Sequence, residues 1–397
     1  MTREEFIKKC TLLGLGAYLL PSTLASCKKK EDDWAINFSG SVLVIGGGAA
    51  GLTAAYRLRQ HNIDVRVLEA SSVFGGRVKK LEGFADFPID LGAEWLHTQP
   101  KVFGELINDE SATGSVDMIK YNPQTYQTWN NGKLRNQNWV HSFYSEYKFK
   151  RSTWYDFFDQ YIVPSISDRI VYNSPVASID YSGAQATVTT TDGTIYTADK
   201  IICTVPLTIL QQGLIDFTPA LPSSKTSALG SVGVPPGIKV FMEFSERFYP
   251  DLLIIGGVLN AAAADQPLYY DAAFRKDSDR HIMGLFWVDD AAARLTELPN
   301  DDAVIANVLE ELDTIFDGKA SQHFLKGVVQ NWSKEPYIRG SYSVTFDNYS
   351  NNVADLIEPL SNTVFFAGEA MIDGASSTVH GAGQSGIAAV KRILEGS

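Results

Sequence analysis

Apolar and polar positions near the start of the chain predict a strand, a tight turn and a helix. Val42 to Ile45 form a short apolar run of the kind that a buried parallel strand needs. A glycine-rich turn follows at once, and a helix is predicted from about Ala49 to Gln60. The next apolar run ends at Glu69. This order of strand, helix and strand is typical of an α/β fold with a parallel sheet.

The turn after the first strand carries the glycine spacing of a dinucleotide-binding loop, G-x-G-x-x-G, at Gly46, Gly48 and Gly51. Gly46 allows the tight turn, Gly48 lets the backbone approach a pyrophosphate, and Gly51 lets the helix pack closely on the strand. The N-terminus of the helix, at Ala49 and Ala50, then offers free N–H groups to the pyrophosphate.

A carboxylate and a second turn extend this nucleotide site. Glu69 lies at the spacing where a carboxylate accepts hydrogen bonds from the adenosine ribose. Gly75-Gly76-Arg77 places a cation on a flexible turn beside the phosphates. The distant pair Gly368-Glu369 would return the C-terminal part of the chain to the same cofactor. A glycine motif alone is a weak signal, but this combination favours FAD over NAD.

A second pattern, GIKVFMEF, alternates with period two and predicts a strand. One face would carry Ile238, Val240, Met242 and Phe244, and the other Gly237, Lys239, Phe241 and Glu243. From this pattern alone, Lys239 is expected to be a solvated strand lysine.

Composition sets limits on the function. The 397 residues suffice for a large core and two domains. A net charge of -12, with no Lys/Arg-rich patch beyond the N-terminal region, argues against nucleic acid as a partner. No zinc-like Cys/His spacing occurs, so no metal is expected. Cys203 lies in the apolar segment KIICTV and is expected to be an inert core residue.

The first 27 residues resemble a bacterial lipoprotein signal peptide. MTREEFIKK is charged, TLLGLGAYLLPSTLA is apolar but short and interrupted by proline, and Leu24-Ala25-Ser26-Cys27 forms a lipobox. Cys27 would carry a lipid that anchors the exported protein to a membrane of the cell envelope, with residues 28–39 as a charged tether. An ordinary secretory signal cut nearby is the alternative. The sequence leaves the export route open between the general secretory and twin-arginine pathways.

From about residue 40 to residue 397, the chain resembles the flavin-containing amine oxidases, the family of monoamine, polyamine and related oxidases. Beyond the nucleotide fingerprint, the resemblance rests on an ordered and highly specific series of motifs: GGR at 75–77, DLGAEWLH at 90–97, NSPVASI around Val176, ADKIICTVPLTIL at 198–210, GIKVFMEFSERFY around Lys239, NWSKEPYIRGSYS at 331–343, and FFAGEA with STVHGAGQSG.

The resemblance implies an α/β architecture with a Rossmann-like FAD-binding domain and a discontinuous α+β substrate domain. The FAD-binding domain would be built from residues 40–100, 166–225 and 326–397, and the substrate domain from 101–165 and 226–325. The segment 101–165 is rich in Tyr, Trp and Phe, and it is shorter than the helical region usual in the family. Its aromatic side chains would either line a substrate cleft or pack in the core.

The resemblance also implies which residues hold FAD. Besides the fingerprint residues, Glu69 and Arg77, these are Gly92, Ala93, Glu94, Trp95, Val176, Trp332, Gly368, Glu369, Thr378 and Val379. Ser341 stands where some relatives carry a cysteine bound covalently to the flavin. FAD is therefore expected to bind non-covalently. Gly381, Gly383 and Gly386 in the last predicted helix suggest close packing, and the isoalloxazine ring is the expected neighbour.

Two residues are implied to be catalytic. The family's active-site lysine, which holds a water at flavin N5 and assists reoxidation by oxygen, corresponds to Lys239. Tyr342 matches an aromatic residue that flanks the substrate amine. Its usual aromatic partner is replaced by Thr378, so small aryl amines are less expected as substrates. His97 and Thr378 are candidates for substrate contact, although a structural role is the simpler expectation for His97 and for His380.

The implied reaction is FAD-dependent oxidation of an amine C–N bond to an imine, with polyamine-like amines among the candidate substrates. Electrons would pass to oxygen to give hydrogen peroxide, or to another acceptor such as a quinone of the envelope. Three alternatives stay open. An amino-acid oxidase would need a cation where this chain has Trp95. A flavin-dependent desaturase shares the fold and would suit a lipid anchor. An exported FAD-binding protein without turnover would suit the shortened insert.

Overall fold

The computed structural model describes residues 34–139, 146–256, 266–345 and 349–396. The predicted signal peptide with Cys27, and the tether up to residue 33, lie outside the described residues. Strands are numbered β1 to β23 and helices α1 to α10 in chain order.

A five-stranded parallel sheet forms the nucleotide-binding part of the molecule. Its strands lie in the order β10 (Ile170–Val171), β2 (Asp64–Leu68), β1 (Ser41–Ile45), β14 (Lys200–Cys203) and β23 (Val364–Phe366). Two helices, α1 (Ala49–Gln60) and α10 (Val379–Glu395), pack against each other beside this sheet. Strand, glycine turn and helix therefore follow one another as the sequence predicts, and the α/β fold is confirmed.

The glycines of α10 allow this close packing of helices. A Cβ atom on Gly386 would lie 2.4 Å from the carbonyl oxygen of Ala50, and one on Gly383 would lie 2.6 Å from Leu106 Cδ2. The expectation that these two glycines make room for the flat flavin ring is therefore corrected, because protein atoms of neighbouring helices occupy that space. Gly381 similarly meets the backbone of Ala375, at 1.9 Å from its carbonyl oxygen.

Smaller sheets complete this side of the molecule. One has the order β13 (Ile195–Ala198), β12 (Ala186–Thr190), β11 (Val176–Asp180) and β15 (Asp216–Thr218), and another pairs β16 (Val232–Gly233) with β22 (Val344–Thr345). The helices here are α4 (Leu207–Gln211), α5 (Ser223–Gly230) and α9 (Tyr349–Ile357). Cys203 at the end of β14 is buried, and burial raises the pKa of its thiol to about 12, in line with the expected inert core residue.

A seven-stranded sheet forms the second large layer. Its order is β21 (Phe324–Asn331), β17 (Gly237–Phe244), β20 (His281–Val288), β19 (Leu268–Asp271), β18 (Leu252–Ile255), β7 (Tyr126–Asn130) and β8 (Lys133–Asn136). Helices α6 (Ala293–Thr296), α7 (Asp301–Phe316) and α8 (Lys319–His323) lie in the same part of the chain. β21 begins two residues before the predicted domain boundary at 326, and the division into two domains stays a prediction.

The aromatic segment 101–165 contributes β7 and β8 to the seven-stranded sheet, two further strands to a three-stranded sheet, and two short helices. β5 (Trp95–Leu96) pairs with β9 (Glu146–Phe149), which pairs with β6 (Met118–Tyr121), while β3 (Lys80–Leu81) pairs with β4 (Ile89–Asp90). Helices α2 (Val102–Ile107) and α3 (Trp154–Tyr161) flank them. Trp154, Phe157 and Phe158 on α3 are buried in the core, so these three rings pack structurally rather than line a cleft. Within the described ranges, no helix is both long enough and apolar enough to cross a membrane.

Candidate active site

The turn between β1 and α1 forms a cradle with room for a phosphate. Gly46 has φ +105°, which favours glycine, and a Cβ on Gly51 would lie 2.0 Å from the Gly46 carbonyl oxygen. α1 begins after Gly48 without a side-chain cap. A Cβ on Gly48 would meet only the Gly75 carbonyl oxygen, at 3.9 Å. Open space and uncapped N–H groups at a helix N-terminus fit a pyrophosphate.

Glu69 lies at the edge of this cradle, directly after β2. One of its carboxylate oxygens accepts the Gly47 N–H at 2.6 Å, and the other accepts the Ser71 N–H at 2.8 Å. The side chain is buried and faces the turn. Its geometry suits a carboxylate that binds ribose hydroxyls while it holds the turn, and the ribose contact stays a prediction.

Arg77 connects the second glycine turn to the C-terminal part of the chain. Its Nη1 donates to the Ser341 carbonyl oxygen at 2.6 Å and to Glu369 Oε1 at 2.9 Å. Glu369 also accepts the Ser343 hydroxyl at 2.6 Å and the Ser377 N–H at 3.2 Å. Arg77 and Glu369 thus meet as the sequence suggested, but as partners of each other, and their contact with FAD stays a prediction.

The segment after β4 is held tightly against this arrangement. A Cβ on Gly92 would lie 1.8 Å from the Arg77 carbonyl oxygen, and the Ala93 N–H donates to the same oxygen at 3.2 Å. Trp332 packs beside Gly92, and its indole N–H donates to the Leu91 carbonyl oxygen at 3.2 Å. The backbone of this segment is therefore fixed relative to the glycine turn.

The other predicted cofactor residues lie at strand and helix ends. Val176 begins β11 and is buried, while Gly368, just after β23, has no atom within 4 Å of a Cβ position. Thr378 precedes α10 as its N-cap, and its hydroxyl accepts the Gly381 N–H at 3.0 Å. Val379 is the first residue of the helix. Open space at Gly368 and the N-terminus of α10 are compatible with a bound group.

The pKa values of the two candidate histidines are shifted in opposite directions. His97 Nδ1 lies 2.7 Å from Glu146 Oε1. Burial alone would lower the pKa of His97, but the Glu146 carboxylate outweighs it and raises the pKa. His380 is buried on α10, and burial together with the His97 charge lowers its pKa to about 4. His380 is therefore neutral at neutral pH.

Lys239 is buried, and the prediction of a solvated strand lysine was wrong. It is 1% exposed, and every residue of β17 is buried, so this strand is covered on both faces. Its ammonium group donates to the carbonyl oxygens of Asp90 (2.7 Å) and Gly92 (3.1 Å) and to Glu94 Oε2 (2.7 Å). Burial lowers the pKa of Lys239, although the Glu94 carboxylate opposes this. The lysine thus fixes the predicted cofactor segment 90–94.

A second buried lysine, Lys148 on β9, was missed by sequence reasoning. Its Nζ lies 2.6 Å from Glu94 Oε1, and it is 1% exposed. The Tyr270 hydroxyl donates to Glu94 Oε2. Burial alone would raise the pKa of Glu94, but Lys148 and Lys239 outweigh it and lower the pKa to about 2. Only the fold brings Lys148 to Glu94, so no local sequence signal could have identified it.

Several aromatic rings lie close to Lys239. Its Nζ is 5.6 Å from the centroid of Trp95, and Trp95 lies 6.1 Å from Phe286. Phe286 in turn stacks on Tyr342, with centroids 6.3 Å apart and planes 25° apart. Sequence reasoning left Tyr342 without an aromatic partner because Thr378 replaces the expected ring, and it missed Phe286. Tyr342, Trp95 and Phe286 are all partly exposed, as expected for the wall of a cleft.

In the part of the chain that the structure describes, no group of three or more His, Cys, Asp or Glu side chains could hold a metal ion. The polar groups described above suit a nucleotide site, and partly exposed aromatic rings lie nearby.

Comparison with known proteins identifies the family. A family model described as flavin containing amine oxidoreductase matches residues 49–159 and 155–394. The chain is 28% identical to human lysine-specific histone demethylase 2 over 99% of its own length, but it spans only 56% of that protein. It is 26% identical to polyamine oxidase 4 of Oryza sativa, over 96% of this chain and 93% of that one.

A solved structure of an engineered putrescine oxidase has the same fold. It superposes with a TM-score of 0.74 over 91% of this chain and 100% of that one, at 16% identity. The cofactor is FAD, bound non-covalently, and the glycine cradle with Glu69 beside it fits this group. The chain belongs to the family of flavin-containing amine oxidoreductases.

Proposed function

We propose that this enzyme oxidises the C–N bond of an amine and passes the electrons to oxygen. The observation that carries the proposal is the buried Lys239 beside the partly exposed rings of Trp95, Phe286 and Tyr342. The amine would approach over these rings, and FAD would extend to them from the glycine cradle. The polyamine oxidases of Oryza sativa and Arabidopsis thaliana among its relatives support an amine as substrate.

FAD held by the glycine cradle and Glu69 would supply the redox chemistry, as the acceptor of a hydride equivalent from the carbon next to the amine nitrogen. The amine loses two electrons and two protons to become an imine, which water hydrolyses to a carbonyl compound and ammonia or a smaller amine. Oxygen takes up the two electrons and two protons as hydrogen peroxide.

The chain's own side chains orient the substrate and exclude water. Tyr342 and Phe286 offer ring faces to the amine and its carbon chain. Lys239 holds segment 90–94 in place through three hydrogen bonds, which use all three donors of its ammonium group. A water bound by Lys239, as the resemblance implies, would therefore have to replace one of these three contacts.

Anaerobic reduction of the flavin tests the proposal. The FAD-loaded protein is mixed with amines, polyamines and amino acids without oxygen, and loss of the oxidised flavin absorbance is followed. We expect an amine to bleach the flavin, and readmitted oxygen to restore the colour and yield hydrogen peroxide. Bleaching by amino acids alone would replace the proposal with amino-acid oxidation. If no compound bleaches the flavin, the desaturase or the non-catalytic alternative takes its place.

We also propose that the protein is exported and anchored to a membrane of the cell envelope by a lipid on Cys27. The support is the sequence pattern of the first 27 residues, with its charged start, apolar centre and lipobox. The charged run after Cys27 would tether the enzyme to the membrane.

A further inference from the structure

The seven-stranded sheet presents one apolar position beside Lys239. In the antiparallel ladder, Phe286 on β20 lies directly opposite Lys239 on β17 and opposite Leu268 on β19. Directly paired residues project from the same face of a sheet. Phe286 is the one interior residue of β20 that stays partly exposed, and Leu268 is partly exposed as well. The accessible part of this face around Phe286 and Leu268 is therefore apolar.

Two further rings extend this apolar face. Phe286 lies 6.3 Å from Tyr342 with nearly parallel planes, and 6.1 Å from Trp95 with planes 55° apart. The three rings come from β20, β5 and the loop before β22, so they form a surface only in the folded protein. Such a surface attracts a single cation over its ring faces and binds a hydrocarbon chain by burial of apolar area.

The charges beside this surface are unfavourable for a second ammonium group. Both oxygens of Glu94 are already paired, with Lys148 at 2.6 Å and Lys239 at 2.7 Å. Burial and the Glu94 charge raise the pKa of Asp90 well above its usual range. Lys276 adds a third cation to this group, although burial and Lys148 lower its pKa to about 8. This group therefore holds three lysines and two acids.

We infer that the enzyme takes amines with one cationic nitrogen and an apolar substituent in preference to diamines and polyamines, and that Phe286 sets this preference. The inference rests on the proposed function, since it names the substrate class of the same site. A diamine would bring a second positive charge to a region where three lysines accompany two acids, whereas an alkyl chain would gain contact with Phe286, Trp95 and Tyr342.

Hexylamine and hexamethylenediamine form a matched pair for the test, because they share one carbon chain and differ in the second ammonium group. Their dissociation constants are measured by calorimetry on the FAD-loaded protein under anaerobic conditions, with flavin absorbance recorded in parallel. We expect hexylamine to bind at least about tenfold more tightly. Equal or tighter binding of the diamine overturns the inference, and so does failure of both compounds to bind.

Variants separate the two parts of the inference. Phe286→Ala should weaken hexylamine binding by about tenfold and reduce the discrimination between the two compounds. Phe286→Leu keeps an apolar side chain and serves as the second variant if Phe286→Ala fails to fold. It should weaken hexylamine binding less. Lys276→Met should improve diamine binding by about threefold and leave hexylamine unchanged. The control, Leu325→Ala, alters an exposed side chain of β21 and should change neither constant. Unchanged discrimination in both Phe286 variants would remove Phe286 from this role.

Binding and flavin reduction together distinguish the inference from the proposed function. Discrimination between the two compounds without any bleaching of the flavin would preserve the inference about the surface and refute amine oxidation by this enzyme. Bleaching by both compounds with no difference in affinity would support amine oxidation and refute the inference about the surface.

Discussion

Lys239 Nζ lies 2.7 Å from Glu94 Oε2, and both groups are buried. Because Lys148 holds the other oxygen of the same carboxylate, Glu94 keeps a partner if either lysine is lost. Loss of one lysine should therefore cost less than the roughly 3–5 kcal/mol typical of a buried charge left without any partner. This shared carboxylate allows the proposed redox role of Lys239 to be tested separately from its structural role.

Lys239→Met should slow reoxidation of the reduced flavin by oxygen at least about tenfold, because it removes the lysine that the resemblance to the family assigns to this step. FAD retention should change less than the reoxidation rate, since the glycine cradle is untouched. Stopped-flow absorbance follows the two half-reactions separately. Lys148→Met is the matched control: it also removes one partner of Glu94 but leaves Lys239 in place. Equal slowing in the two variants would show that only the integrity of the ion cluster matters.

Glu69→Ala should weaken FAD retention by about 1.5–3 kcal/mol, the usual loss when hydrogen bonds to a charged group are removed. Equilibrium dialysis or flavin fluorescence during dilution measures the loss. Asp180→Ala is the control, because Asp180 also accepts a backbone N–H and a hydroxyl, from Ser182, but lies in an exposed turn. Similar FAD retention in wild type and the Glu69 variant would argue against the ribose contact.

Gly386→Ala should destabilise the protein by about 1–3 kcal/mol, because the added methyl group would lie 2.4 Å from the Ala50 carbonyl oxygen and push α10 away from α1. Chemical denaturation measures the change. Gly230→Ala at the end of α5 meets no atom within 4 Å and should be neutral or slightly stabilising. Equal stability of the two variants would contradict the tight helix contact.

His380 should make stability depend on pH in the acid range. It takes up a proton near pH 6.5 when unfolded, but burial and the His97 charge lower its pKa to about 4 in the folded protein. Between pH 6.5 and about pH 4, the unfolded chain binds this proton and the folded protein does not, so protonation favours unfolding. The contribution of His380 to stability is therefore complete above pH 6.5 and is lost as the pH falls to about 4. His380→Asn should reduce that fall in unfolding free energy by on the order of 2–3 kcal/mol in urea titrations. An unchanged pH dependence would contradict a buried, neutral His380.

Cys27→Ser should abolish lipid attachment and move the protein out of the membrane fraction, because the thiol of Cys27 is the proposed acceptor. Labelled fatty acid and cell fractionation measure the two effects. Cys10→Ser changes the other cysteine of the proposed signal peptide, outside the lipobox, and should leave both unchanged. Equal labelling of the Cys27 variant and wild type would exclude this residue as the acceptor.

The sequence by itself determined the nucleotide-binding half of the site. Strand β1, the glycine turn, α1 and the acid at Glu69 are neighbours along the chain, so their chemistry appears as a local pattern with fixed spacing. The required close approaches at Gly46 and Gly51 also depend on local backbone geometry, and they could be predicted without a fold.

Only the tertiary structure decided the substrate half. Lys239 followed a half-polar strand pattern, yet coverage of both sheet faces buries it. No local sequence pattern marked Lys148 or Phe286 as a site residue, because the partner of each lies more than 50 positions away along the chain. Lys148 contacts Glu94, and Phe286 stacks on Tyr342. Likewise, the glycines of α10 predicted close packing but did not identify the neighbouring segment. Charge pairing and ring contacts between distant segments depend on how the sheets pack, and the order of residues along the chain does not encode that packing in any local pattern.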